Sequence, residues 1–201
     1  MRWTKRIAAS ALALALTGAV GRPATAEELY ALNQHVATIG FSVGHLGLFP
    51  SHGDFRRFTG SLALDRAHPE RSRIAVDVDA RSIRTEWQDA AAKLRSPAYF
   101  DVRDYPDVRF ASTSITPDGV DKYTIHGRIE IRGVTQPLTL MATLIGRPLA
   151  GGPGARTADF VVTGHLKRSA FGMVADKLFT SDTVNITIDA RIELGRPGGA
   201  G

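Results

Sequence analysis

The chain has no cysteine among its 201 residues, and only 7% of them are aromatic. The lack of cysteine excludes disulfide frameworks, thiolate metal sites and cysteine nucleophiles. The apolar run over residues 7–20 has 14 residues, fewer than the roughly 20 that a membrane-spanning helix needs. No segment predicts the strand–turn–helix nucleophile elbow of a hydrolase or a phosphate-binding loop. We therefore predict a protein that is not an enzyme and has no cofactor or metal.

Residues 1–26 are typical of a cleavable secretion signal. Arg2, Lys5 and Arg6 precede the apolar run, and the segment Ala24-Thr25-Ala26 has the small–x–small pattern of a cleavage site. No Arg-Arg pair precedes the run, which favours the general secretion route. We expect a periplasmic protein with one domain over residues 27–194 and a disordered Gly- and Pro-rich tail over residues 195–201.

The basic character of the chain comes mostly from its first segment. The formal net charge is +5, but four cations lie in residues 1–26 and all acidic residues follow them. The mature chain then has 21 basic and 20 acidic residues. This near balance gives no global electrostatic argument for a nucleic-acid partner.

Alternation of apolar with polar or small residues dominates the mature chain and predicts β-strands. The alternating stretches are 39–45, 62–64, 74–80, 108–110, 123–131, 138–144, 158–162 and 184–192. Eight or so antiparallel strands with short connections indicate a sandwich or a closed barrel. The alanine-rich stretch over residues 85–94 predicts one short helix, which Pro97 limits.

Charged residues on these strands argue against an integral outer-membrane barrel. Asp77, Asp79, Asp189 and Arg191 lie on faces that would meet lipid. The aromatic residues that would form girdles at the two membrane interfaces are scarce. We expect no membrane segment once the signal has been removed.

Six histidines are scattered along the chain without the spacing of a helical zinc site. His45 continues the apolar face of Phe41 and Val43, so it either meets a ligand or is a core histidine that bonds a neighbour. Two segments, residues 93–101 and 167–173, place Lys93, Arg95 or Arg168 beside apolar side chains. They either receive the acidic head group of a lipid or are loops whose cations face water.

Several of these segments, in this order, match a family pattern over about residues 29–194. They are residues 41–47, 53–62, 80–83, 93–101, 105–110, 131–140 and 168–173. The most specific is residues 131–140, which read Ile-Arg-Gly-Val-Thr-Gln-Pro-Leu-Thr-Leu. On these motifs the chain resembles the YceI-like family of bacterial periplasmic polyisoprenoid-binding proteins.

The resemblance implies a lipocalin-like antiparallel barrel of eight strands. Its lumen would hold an isoprenoid or another long apolar chain without covalent chemistry. Lys93 and Ala170 stand where the family often has His and Asp. Because these positions are near the expected head-group site, the departures imply a different head-group preference in this chain.

We accordingly expect a carrier for an amphiphilic lipid, with a second copy of the chain as a further partner. The expected lumen residues are Phe41, Val43, Leu62, Leu64, Val76, Phe110, Leu140, Phe160 and Val162, and the expected head-group residues are His45, Lys93, Arg95 and Arg168. Two alternatives stay open. One is a filled barrel that acts as a stress-related interaction module, and the other is a lipid-modifying enzyme with His45 as base.

Overall fold

Eleven antiparallel strands form one sheet in the computed structural model, which describes residues 27–45, 49–65, 68–146 and 157–193. The elements are β1 Glu28–Asn33, β2 Ala37–His45, β3 Phe49–Phe55, β4 Phe58–Leu64, β5 Arg73–Asp79, β6 Ile83–Thr85, α1 Gln88–Arg95, β7 Asp107–Pro117, β8 Lys122–Ile131, β9 Val134–Gly146, β10 Thr157–Lys167 and β11 Thr180–Glu193. Short 3₁₀ turns cover Pro69–Arg71, Ala80–Ser82 and Arg168–Phe171. The expected signal and tail lie outside the described residues.

The strand pairings close into an antiparallel barrel, which confirms the predicted fold class. The sheet order is β1-β4-β5-β7-β8-β9-β10-β11-β2-β3-β6. β3 and β4 follow each other with a two-residue bend, and β5 leads into β6 through one 3₁₀ turn. The β4–β5 ladder therefore continues into the β3–β6 ladder, and the pairing returns to β2.

The expected number of eight strands needs correction to eleven. Two long strands, β3–β4 and β5–β6, are each split by a bend, and β1 adds a strand beside β4. Counted through the bends, eight long strands form the circuit. β3 is absent from the predicted strands because its residues, Phe-Pro-Ser-His-Gly-Asp-Phe, do not alternate between apolar and polar.

Hydrogen bonds at the corner explain the two bends. The carboxylate of Asp79 accepts from the backbone N–H of Arg81 at 2.9 Å and from both Arg57 and Arg81 side chains. The hydroxyl of Ser82 accepts from the Arg57 N–H at 3.0 Å. These side chains satisfy backbone donors that the interrupted ladder leaves unpaired, so both strands turn without burying orphan groups.

The helix is shorter and starts later than the sequence predicted. Thr85 belongs to β6, where it pairs with Gly53, and α1 begins at Gln88 after Trp87 in extended conformation. Sheet pairing thus decides the conformation of Thr85, which alanine-rich composition next to it cannot reveal. The helix ends at Arg95 because Ser96, the residue before Pro97, is extended with ψ of 165°. Among the described residues, no helix is long and apolar enough to cross a bilayer.

Two apolar clusters hold the barrel together. The larger one includes Phe58, Val108, Ile129 and Phe171 and lies inside the sheet. The smaller one consists of Tyr30, Leu62 and Ile192, with Leu32, Leu64, Ile74 and Phe160 packed against it. β1 is anchored through this second cluster, because Tyr30 is 5% exposed and pairs with Leu62.

Candidate functional site

The barrel encloses a cavity of about 860 Å³. Inward-facing apolar side chains from most strands form its wall, among them Phe41, Val76, Phe110, Leu140 and Ile186. A volume of this size is within the range of about 300–1,000 Å³ that is typical of small-molecule sites. Because successive residues of a strand face opposite sides, the same alternation that builds the sheet makes this wall apolar.

Polar side chains are gathered in one part of the lining, where β2, α1 and the segment from residue 168 to residue 180 meet. The residues gathered there are His45, Lys93, Tyr99, Arg168, Asp176 and Thr180, while Ser51, His52, Thr85 and Glu86 line the cavity from β3 and the end of β6. His45 and Thr180 are register partners across β2 and β11, with 3.3 Å between the His45 Nδ1 and the Thr180 Oγ1. This polar cluster can recognise a polar group of a ligand.

Arg168 holds the backbone around the polar cluster in place. It is 4% exposed and donates hydrogen bonds to the carbonyl oxygens of Met173, Ala175, Thr180 and Ser181, at distances between 2.6 and 3.1 Å. Its planar guanidinium can serve four acceptors at once, which a lysine cannot do. Arg168 therefore shapes the cavity by ordering the chain that leads into β11.

Asp176 joins this segment to the helix. Its Oδ2 lies 2.5 Å from the Lys93 Nζ and also accepts a hydrogen bond from the Tyr99 hydroxyl. The ammonium of Lys93 lies 5.8 Å from the centre of the Tyr99 ring. The hydrogen bond from Lys93, followed by that from Tyr99, holds the pKa of Asp176 below its usual value. Burial, together with the hydrogen bond to Asp176, raises the pKa of Tyr99 to about 12.

Exposed apolar residues lie beside the polar cluster. Phe49 is 78% exposed and Trp87 72% exposed, although both line the cavity. Phe49 pairs with His45 across β2 and β3, and Trp87 directly precedes α1. Side chains that touch both the lumen and solvent mark this side as the entrance.

The structure brings most of the predicted site residues to one cavity. Its lining includes Phe41, Val43, His45, Val76, Lys93, Phe110, Leu140 and Arg168. Tyr99 and Asp176 also line the cavity, although neither was among the predicted site residues. Tyr99 lies within a segment that the sequence singles out, but no local pattern marks Asp176, which reaches Lys93 from 83 positions further along the chain.

Five predicted residues lie elsewhere among the described residues. Leu62, Leu64 and Phe160 pack in the second cluster, and Val162 packs against the larger cluster without being part of the cavity lining. Alternation predicts which face of a strand a residue occupies, but not how far along the barrel it lies. It therefore could not separate these inward-facing residues from those of the cavity wall. The side chain of Arg95 donates to the carbonyl oxygens of Arg81 and Ile83 and so fastens α1 to β6.

Residues 40–44 read Gly-Phe-Ser-Val-Gly, which has the spacing of a hydrolase nucleophile motif. The structure places the segment inside β2, where Ser42 pairs with His52 and Asn185 across the sheet. A nucleophile elbow requires a sharp turn from strand to helix. The match is therefore a coincidence of spacing. Within the described residues no group of three potential metal ligands is found either.

Comparison with known proteins agrees with this architecture. A family model described as a YceI-like domain matches residues 30–192. The chain belongs to the YceI-like family. A UPF0312 protein from Pseudomonas putida is 33% identical over 184 residues, which cover 92% of this chain and 94% of that protein.

Solved structures with this fold include two further proteins. The YceI-like chain superposes on BcnA from Burkholderia cenocepacia with a TM-score of 0.69 at 22% identity, covering 77% of this chain and 95% of BcnA. A polyisoprenoid-binding domain from Saccharophagus degradans, described as implicated in plant cell wall breakdown, gives a TM-score of 0.57 at 12% identity. That match covers 84% of this chain and 99% of the domain. At these identities both likenesses establish the fold.

Proposed function

We propose that the protein binds an isoprenoid or similar apolar chain in the barrel cavity and carries it without chemical change. The observation that carries this proposal is the cavity of about 860 Å³ with its apolar wall. Each methylene that moves from water into such a wall contributes about 0.8 kcal/mol before ordering costs. The ligand of the structural relative from Saccharophagus degradans, named as a polyisoprenoid, supports the same class.

Two observations favour binding over the alternative functions. A filled barrel would leave no lumen of this size. An enzyme that used His45 as base would need a group that orients the ring and an acid or nucleophile beside it. Among the described residues, the His45 ring shares a hydrogen bond with the hydroxyl of Thr180 and none with a carboxylate.

We further propose that the protein acts in the periplasm, on the support of the signal pattern over residues 1–26. Expression of the full chain in a bacterium, followed by cell fractionation, tests this location. A processed protein in the periplasmic fraction is expected, and an unprocessed protein in the cytoplasm would contradict export. Pairing with a second copy stays a prediction, and native mass spectrometry of the purified protein reads it directly.

The same native mass spectra test the ligand. We expect an added mass that organic solvent extracts as a lipid. Ile186→Trp is the blocking variant, because Ile186 lines the cavity and an indole there fills space that the ligand needs. Thr187→Trp is the matched control, since Thr187 is the exposed next residue of the same strand.

We expect Ile186→Trp to lower the affinity for lipid about ten-fold, equivalent to about 1.4 kcal/mol, and so to lower occupancy, and Thr187→Trp to leave it unchanged. A bare mass for the wild-type protein, even after incubation with isoprenoids and fatty acids, would exclude the proposed function. Equal lipid occupancy in both folded variants would show that the ligand does not bind in this cavity.

A further inference from the structure

The charges around the cavity balance each other. The ionisable side chains of the lining, within the described residues, are His45, His52, Glu86, Lys93, Tyr99, Arg168 and Asp176. With the histidines neutral, two cations face two anions. The cavity therefore offers no net positive charge to an anionic head group, although the sequence alone shows Lys93 and Arg168 as two cations beside an apolar wall.

Both cations are also engaged. The ammonium of Lys93 lies against the Asp176 carboxylate, with 2.5 Å between Nζ and Oδ2. Four N–H groups of Arg168 point at backbone carbonyl oxygens. A phosphate is best bound by an arginine that presents two parallel N–H groups, and Arg168 has one of its five N–H groups left, which is too few for that geometry.

An anionic head group would meet a further obstacle at Asp176. To reach Lys93, a diphosphate would have to displace the carboxylate and then lie beside it as a like charge. It would also lose part of its hydration, because the Lys93 side chain is 59% exposed but the wall beside it is largely apolar. An uncharged hydroxyl avoids both costs and has donors and acceptors available at His45 and Thr180, whose side chains already lie 3.3 Å apart.

We propose that this site selects a lipid with an uncharged hydroxyl head group, and that Asp176 sets this preference by neutralising Lys93. The inference rests on the proposed function, since it concerns the ligand of the same cavity. The chemical class is a prenyl alcohol or a related uncharged hydroxyl-bearing lipid rather than a prenyl phosphate or diphosphate. Asp176 acts here as a specificity-determining residue.

Farnesol and farnesyl diphosphate have the same apolar chain and differ in the head group. Comparing their binding therefore isolates the contribution of the head group. Binding of each to the purified protein at neutral pH and low salt is measured by calorimetry. We expect farnesol to bind at least about ten-fold more tightly than the diphosphate. Equal or tighter binding of the diphosphate would overturn the inference while leaving the proposed function standing. Failure of both ligands to bind would count against the proposed function and this inference together.

Asp176→Asn tests the role of the carboxylate. Asp176 has a positive φ of 53°, which asparagine adopts readily, and its backbone carbonyl keeps its bonds to the N–H groups of Phe179 and Thr180. We expect the affinity for farnesyl diphosphate to rise about ten-fold relative to that for farnesol. Unchanged diphosphate affinity in the folded variant would contradict the role of Asp176.

Two further variants control for charge and for folding. Asp104→Asn changes the net charge equally, but Asp104 pairs with Arg103 outside the cavity lining, so both affinities should stay as in the wild type. Lys93→Met should lower the affinity for the diphosphate relative to that for farnesol still further, which gives a second reading if Asp176→Asn does not fold. If Asp104→Asn raised the affinity for the diphosphate as much as Asp176→Asn does, net charge and not the pairing of Asp176 with Lys93 would set the preference. That result would overturn the inference.

Discussion

The ring of Phe41 lies directly over the backbone of Gly53, its register partner across β2 and β3. A β-carbon at Gly53 would lie 2.3 Å from the Cζ of Phe41 and 2.7 Å from the carbonyl oxygen of Arg84. The ring of Phe110 covers Gly127 in a similar way, although its register partner is Ile129, and a β-carbon at Gly127 would lie 2.5 Å from Cε2. Both rings line the cavity. The missing side chains let these two rings lie against the barrel wall instead of filling the lumen.

The first prediction concerns this close approach. Gly53→Ala should destabilise the protein by about 1–3 kcal/mol, because the new methyl group displaces either the Phe41 ring or the backbone of β6. Urea unfolding measures the change. Gly40→Ala is the matched control, since a β-carbon there would meet its nearest atoms at 3.5 and 3.7 Å, an ordinary contact distance. Equal stability of the two variants would show that the Phe41 ring or the backbone of β6 moves aside at little cost in free energy.

The second prediction separates the two apolar clusters. Leu62 is 8% exposed and packs with Tyr30 and Ile192 rather than around the cavity. Leu62→Ala should lower the free energy of unfolding by about 2–4 kcal/mol through the space it leaves. Lipid occupancy of the folded variant should equal that of the wild type in native mass spectra. A folded variant without lipid would place Leu62 at the ligand after all.

The third prediction concerns the hydrogen bonds of Arg168. Arg168→Lys keeps the charge but cannot reach four carbonyl oxygens, so acceptors around residues 173–181 lose their donors. We expect a loss of at least about 2 kcal/mol in unfolding free energy, with faster amide exchange in that segment. Arg103→Lys, at a side chain 84% exposed, serves as control and should change stability by less than about 0.5 kcal/mol. Full stability of Arg168→Lys would assign the guanidinium a minor structural role.

The fourth prediction follows from the pKa of Tyr99, which is raised to about 12 in the folded chain. The unfolded chain has the ordinary tyrosine value of about 10. The protonated phenol therefore contributes its full stabilisation below about pH 10, and this contribution is lost between about pH 10 and pH 12. Urea unfolding of Tyr99→Phe should show a smaller loss of stability across that range.

Tyr105→Phe is the control for this titration, because Tyr105 is 40% exposed. It should retain the steep loss of stability that the wild type shows at high pH. Parallel curves for the wild type and Tyr99→Phe would mean that the phenol of Tyr99 ionises in the folded chain as it does in the unfolded one. An absorbance titration of tyrosinate in the folded proteins checks the same point independently.

The sequence by itself determined the fold class and the family. Alternation at a period of two exposes one apolar face per strand, and ordered motifs such as residues 131–140 identify the YceI-like pattern. The same alternation placed Val43, Val76 and Phe110 on a common inner face, because residues paired across neighbouring strands point to the same side of the sheet. These conclusions need only local geometry and the order of segments.

Only the tertiary structure decided which inward-facing residues line the open cavity and which pack into a cluster. Leu62 and Phe160 share the parity of an inward-facing residue, yet their position along the strands puts them in the second cluster. The pairing of Lys93 with Asp176, and the four carbonyl oxygens around Arg168, depend on segments that meet through the barrel's closure. The physical reason is that alternation fixes the face of a residue, whereas the neighbours it meets across the lumen depend on bends and registers far away in the chain.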